Sequence, residues 1–321
     1  MKKEFQTDKR MVTVITLSYQ SEHLFEAIDS VLEQTYNKIQ YIISDDGSNN
    51  FQADRTKKYI NNHNKGNICD LIILHHKDNI GTVRNLNRAL TFVKGQIIIY
   101  LSADDIFYDR NVIHDWVDFF SDGKTQVASA LRIFYDHETK ERHHILPSQE
   151  QIQLLLHGKK EKLFDALVKE NFIPHCNLVF TKHFMEKYMP YDERYRLIED
   201  YPMNLKLARM GVSFGFFYQI SILYGCHGAS SPLNLNHAYL KDANRIYKHE
   251  ILPYTKHPYK NRFYYLKGEF IHINESLFLK GYNWCKQHPA FWIMLALAHP
   301  VKAYRKIIRT VKNVIQRGIK T

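Results

Sequence analysis

Short apolar runs alternate with amphipathic stripes through the first hundred residues. Val12–Leu17, Tyr41–Ser44, Leu71–Leu74 and Gln96–Leu101 are brief runs rich in Val and Ile. Such runs predict strands buried on both faces. After the first, Leu24, Ala27, Ile28, Val31 and Leu32 recur at helical spacing and form one stripe. Ser21 is placed to cap that helix. Leu86, Ala89, Leu90 and Val93 predict a second amphipathic helix before the fourth strand. Strands alternating with helices in this way demand a mostly parallel sheet with right-handed crossovers, an α/β architecture.

Past Asp105 the alternation loosens. Val127–Tyr135 and Leu178–Thr181 predict strands, and Glu161–Lys169 a short helix. Asp200–Met210 predicts a helix closed by Gly211. Val212–Tyr218 and Ile220–Tyr224 are again strand-like. From about Asn234 the strand signals cease, and Ala238–Ile251 and Phe263–Leu279 read as helical. The expected division is an α/β domain over residues 1–232, with a boundary near Pro232, and a helical region over 233–321.

Composition narrows the class. Hydrophobic residues make up 45% of 321, enough for a sizeable core. The four cysteines (Cys69, Cys176, Cys226, Cys285) form no CxxC pair, which argues against a disulfide framework and fits a reducing, cytoplasmic setting. No signal peptide is visible, and the apolar run Ala290–Ala298 is too short to span a bilayer. The net charge is +11, concentrated late: Trp284–Thr321 holds eight Lys or Arg and no acid. Together with Phe291, Trp292 and Leu295 this predicts contact with an anionic membrane surface, or a solvated basic helix. No nucleic-acid-binding motif accompanies the charge.

Acidic islands stand where strands end. Asp45-Asp46-Gly47-Ser48 follows the second strand and Ser102-Ala103-Asp104-Asp105 the fourth. In a parallel sheet both lie on the edge where α/β proteins bind ligands. Paired acids there suit a hard divalent cation with a phosphate-bearing ligand, although each island alone also reads as a turn or cap. Arg84 near a helix start is placed for a base or phosphate, or is a surface arginine. Asp200 in Glu199-Asp200-Tyr201-Pro202 is either a general base or a helix cap. His227 is a candidate metal ligand or a structural histidine.

The order of these islands resembles the inverting GT-A glycosyltransferases of family 2. The resemblance covers roughly residues 10–232. It rests on Thr16-Leu17-Ser18-Tyr19-Gln20, Ser30-Val31-Leu32-Glu33-Gln34-Thr35, Asp45–Ser48, Asn79–Asn85, Ser102–Asp105, Glu199–Tyr201 and Tyr224–Ser230. It implies a GT-A fold and transfer of a sugar from a nucleotide-sugar, a UDP-sugar by preference, with Mn²⁺ or Mg²⁺. The acceptor it implies is a growing surface glycan on a lipid carrier at the cytoplasmic face. Ser18, Tyr19 and Asp46 would contact the base, Arg84 would assist at the nucleotide and Asp104 would hold the ribose. Asp105 would bind the metal with support from His227, and Asp200 would deprotonate the acceptor.

Three departures stand out. Ser102 occupies a position often acidic, Gly225 one often arginine and Gln20 one often Asn. No Gln-x-x-Arg-Trp segment follows Asp200, as a processive synthase would have. Two rivals remain: a sugar-phosphate nucleotidyltransferase, against which Ser18–Ser21 lacks the expected glycine-rich loop, and a non-catalytic scaffold of glycosyltransferase ancestry.

Overall fold

The four apolar runs become the parallel half of one sheet. The computed structural model describes residues 10–225 and 237–256. The elements up to the first acidic edge are β1 (Val12–Ser18), α1 (Leu24–Leu32), β2 (Ile39–Asp45), α2 (Ala53–His63), β3 (Ile68–His75), α3 (Thr82–Leu90) and β4 (Ile97–Ser102). There follow β5 (Ile106–Phe107), α4 (Val112–Phe119), β6 (Val127–Tyr135), β7 (Arg142–Leu146), α5 (Gln149–His157) and α6 (Lys160–Lys169). The last are β8 (Leu178–Thr181), α7 (Lys182–Tyr188), α8 (Asp200–Met210), β9 (Gly215–Gly225) and α9 (His237–Ile246).

Sheet order is β3-β2-β1-β4-β8-β6-β9-β5, with β7 paired to β6. The first four strands are parallel, and β8 enters antiparallel between β4 and β6. Every residue of β2 is buried, as expected of a strand covered on both faces. The main core joins Leu24, Ile28 and Val31 of α1 to Ile113, Trp116 and Val117 of α4.

The sequence expectations differ from this fold in instructive places. α2 buries only Thr56 and Ile60, so it writes no apolar stripe. α5 begins with a capping box, in which Ser148 and Gln151 exchange side-chain and backbone hydrogen bonds. The two strands expected over Val212–Tyr224 are one strand whose pairing with β6 shifts register twice. Ser21 does not cap α1: the N-cap position is His23, and the Ser21 hydroxyl donates to the carbonyl of Ala103.

Backbone contacts group the chain into two units, Met1–Ile246 and Tyr247–Thr321. The described part of the second holds one helical turn, Tyr247–Ile251. The expected boundary at Pro232, the stretch Phe263–Leu279 and the basic tail lie outside the described residues. No helix among the described residues is long and apolar enough to cross a membrane.

Register sets the working edge. Ser18 pairs with Asp45 and Leu17 with Ser102, so β1, β2 and β4 end level. Because β8 runs the other way, with Ile99 opposite Val179, its start delivers residues 171–177 to that same edge. On the other side Asn85 of α3 is locked to Ser44: the serine hydroxyl donates to Asn85 Oδ1 at 2.5 Å, and Asn85 Nδ2 donates to the Ser44 carbonyl at 3.0 Å. Both residues are buried, so removing one strands the other. Asn85→Ala is expected to cost about 1–3 kcal/mol, read as a lower urea midpoint at unchanged m-value.

Candidate active site

Asp45 and Asp46 divide structure from opportunity. Asp45 is fully buried and saturated: it accepts from Ser48 N, the Ser48 hydroxyl and His75 Nδ1 at 2.8, 2.6 and 2.9 Å. Asp46 turns toward the loop before α3. Its Oδ1 accepts from Ile80 N at 2.8 Å and its Oδ2 from Gly81 N at 2.9 Å. Burial raises its pKa, against those two hydrogen bonds and the charge of Arg196. Its own N–H donates to the Ser18 carbonyl, so Ser18 and Asp46 form one corner, with Tyr19 half exposed beside it.

Gly81 adopts φ +93°, and a Cβ there would lie 2.5 Å from Arg196 Cγ. Only glycine lets this loop pass so close to that arginine. The Arg196 guanidinium donates to the carbonyl and side-chain oxygens of Asn79 at 3.0 and 2.6 Å. Arg84 pairs at 3.3 Å with Glu193, both well exposed. Arg84 and Arg196 thus both meet the 192–198 segment, and Arg196 carries no motif signal of its own.

The Asp104-Asp105 pair lies under the end of β9. Asp105 is 1% exposed; its Oδ1 accepts from Gly225 N at 3.0 Å, and its Oδ2 has no hydrogen-bond partner among the described residues. Burial first, then the charge of Asp104, push its pKa up to about 8, with the Cys176 thiol and Ser102 hydroxyl opposing. Asp104 is more open; burial also raises its pKa, and its carbonyl faces His137 Nε2 at 2.8 Å. A Cβ at Gly225 would sit 2.3 Å from the Asp104 carbonyl oxygen. That contact explains why glycine stands where the family often has arginine. A buried cation is nevertheless nearby: the Arg132 guanidinium of β6 lies within 6 Å of the Phe134 and Tyr224 rings, 5.9 and 5.7 Å from their centroids.

Asp200 opens α8 instead of capping it, since the N-cap residue is Glu199. Asp200 accepts from Asn171 Nδ2 at 3.0 Å, and Asn204 in turn braces Asn171. Burial and the adjacent Glu199 charge raise its pKa to about 7, opposed by backbone N–H groups of Tyr201 and His175. Glu199 faces His175 Nδ1 at 3.2 Å, while His175 Nε2 meets the Tyr191 hydroxyl at 2.6 Å. His175 thus bridges Glu199 and Tyr191 through its two ring nitrogens.

Consecutive residues therefore join the two acidic centres. His175 offers its backbone to Asp200, and Cys176 presents its thiol to Asp105. The expected site residues Asp104, Asp105 and Asp200 converge on this segment, and Ser18, Asp46 and Arg84 group about the α3 loop. His227 lies outside the described residues. Asn171, His175, Cys176 and Arg196 were missed, because a single Asn, His or Cys in an irregular segment shows no spacing pattern.

The fold and its edge of strand-end carboxylates define a GT-A glycosyltransferase fold. The chain belongs to glycosyl transferase family 2, whose sequence profile matches residues 13–188. It is 26% identical over 226 residues to an uncharacterized glycosyltransferase of Rickettsia typhi, covering 69% of this chain and 65% of that relative's length. Among solved structures it resembles Staphylococcus aureus TarS 1–349 in complex with UDP-GlcNAc. The TM-score is 0.58 at 13% identity, over 89% of this chain and 80% of TarS 1–349. It also resembles the mannosyltransferase PcManGT of Pyrobaculum calidifontis in complex with GDP-Man and Mn²⁺. There the TM-score is 0.58 at 15% identity, over 94% of this chain and 87% of the other.

The residues present fit a divalent cation. Asp105 offers a hard, buried oxygen, Oδ2, without a hydrogen-bond partner among the described residues. Gly225→Ala is expected to push the Asp104 backbone away and to cost about 1–3 kcal/mol by overpacking, measured as a lower melting temperature.

Proposed function

We propose that the chain is a metal-dependent, inverting, non-processive glycosyltransferase that takes its sugar from a nucleotide-sugar, UDP-sugars preferred. The observation that carries this reading is the convergence of two acids, Asp105 under the end of β9 and Asp200 at the start of α8, on the segment 171–177 at the strand-end edge. Two acids of separate surroundings and separate roles are what displacement of a diphosphate by a sugar hydroxyl requires.

Ser18, Tyr19 and Asp46 receive the base at the corner of β1 and β2, with Arg84 and Arg196 at the loop beside it. Asp104 takes the ribose. Asp105, with His227, holds Mn²⁺ or Mg²⁺. When bound, that cation supplies the Lewis acid that offsets charge on the departing diphosphate. Asp200 accepts the acceptor hydroxyl's proton; a pKa of about 7 makes it a stronger base than an ordinary aspartate while leaving much of it ionised at neutral pH. Asn171 holds the carboxylate in place from one side. A single displacement from the face opposite the diphosphate inverts the anomeric carbon. The acceptor we assign is a saccharide on a lipid carrier, in surface-polysaccharide synthesis at the cytoplasmic face of the membrane. The basic, acid-free stretch 284–321 supports that setting.

A donor panel tests the reading. The protein with Mn²⁺ is incubated with nucleotide-sugars, and nucleoside diphosphate release is followed. Asp105→Ala and Asp200→Ala are each expected to lower release by about 100-fold or more. Unchanged release in both would sink the assignment, and pyrophosphate exchange with a sugar phosphate would point to a nucleotidyltransferase instead.

The pH profile gives a second check. Asp200 must be ionised to act, so kcat/KM is expected to rise through about pH 7 and then level off. Glu199→Gln removes the like charge that helps to raise that pKa, so the acid limb is expected to move to lower pH. A limb that stays in place in Glu199→Gln would show that another group controls it.

A further inference from the structure

We propose that Asp242, on the helix α9 that follows the sheet, is a positioning residue for the catalytic site. Its carboxylate is 1% exposed. A single oxygen, Oδ2, accepts from three consecutive amides: Arg196 N at 2.7 Å, Leu197 N at 2.6 Å and Ile198 N at 3.3 Å. Successive main-chain N–H groups converging on one anion form a nest, an arrangement that fixes the backbone turning around it. Here the nest and its anion belong to the same chain, so the anion locks the segment in one shape.

That segment touches both halves of the site. Upstream, the Arg196 carbonyl accepts from Val83 N at 3.1 Å, and its guanidinium holds Asn79. Gly81, whose N–H binds Asp46, packs directly on Arg196. Downstream, Ile198 leads at once into Glu199 and Asp200. Asp242 therefore sets the joint between the nucleotide loop and the base. Tyr239, one turn earlier on α9, faces Asp200 and Glu199, whose charges add to burial in raising its pKa to about 12. The same helix also docks through Arg245, whose Nη1 donates to the Arg194 carbonyl at 2.6 Å. That contact holds the helix without touching the three amides, which makes it a built-in control.

The inference rests on the donor and base assignments above. Asp242→Ala, Asp242→Asn and Arg245→Ala are compared with the wild type by melting temperature and by amide hydrogen exchange over residues 79–84 and 192–201. Nucleoside diphosphate release is measured as kcat and donor KM. In Asp242→Ala exchange is expected to quicken in both segments, with kcat lower by about tenfold or more and donor KM higher by about fivefold. Asn keeps an oxygen acceptor but not the charge, so Asp242→Asn should fall between the two; it also decides the matter if the alanine variant does not fold. Arg245→Ala should stay within about twofold of wild type. Wild-type kinetics in a folded Asp242 variant, or equal losses in the Arg245 variant, would overturn the proposal. A wild-type protein that turns over no nucleotide-sugar would defeat the functional reading, while hydrogen exchange would still decide whether Asp242 pins the segment.

Discussion

Holding buried and part-buried carboxylates with main-chain N–H groups is the constraint on which this structure depends. Asp45, Asp46, Asp105, Asp200 and Asp242 are all held by main-chain N–H groups. Taking an ionised group out of water is expensive, and a lysine or arginine partner would repay the cost by quenching the charge. Amide hydrogens repay part of it. They are fixed by the backbone, so each acid dictates the path of a loop: Asp46 the turn into α3, Asp105 the end of β9, Asp242 the approach to α8. The loops in turn cannot relax without exposing or stranding an acid.

Where amide donors fall short, proton affinity rises. Asp105 has one such donor, and burial first, then the charge of Asp104, push its pKa up to about 8. Asp200 has more donors but a charged neighbour, and it titrates near 7. These are the two acids the proposed chemistry needs most. The departures from the family pattern follow the same logic. Gly225 gives up a side chain so that the Asp104 backbone can come within van der Waals reach, and Ser102 turns a hydroxyl toward Asp105 where an acid would have added a third like charge.

Much of the fold is written in the sequence at the level of periodicity. β6 and β8 lie where their apolar runs put them, and α8 ends at Gly211, as its closing glycine predicts. α2 escapes notice because it presents little more than Ile60 to the core, and β9 looks like two strands because its register slips against β6. Of the candidate site, the acids at strand ends are legible since strand termini and carboxylates both leave local marks. Asn171, His175, Arg196 and Asp242 leave none. Their roles arise from contacts across tens of residues, such as Asp242 reaching back to Arg196, which no local pattern encodes.

The reversed direction of β8 has a consequence for how this scaffold is tied together. Both ends of the stretch between β7 and β8 are anchored to the sheet, and its last residues, 171–177, carry Asn171 and His175 to the rim. The helices α5 and α6 lie between those anchors, and α6 meets α8 where the Tyr201 hydroxyl donates to the Leu167 carbonyl at 2.9 Å. One antiparallel strand thus divides the sheet by how its segments are tied: the parallel half is fixed by strand register, while the span leading into β8 is fixed to the sheet at its two ends.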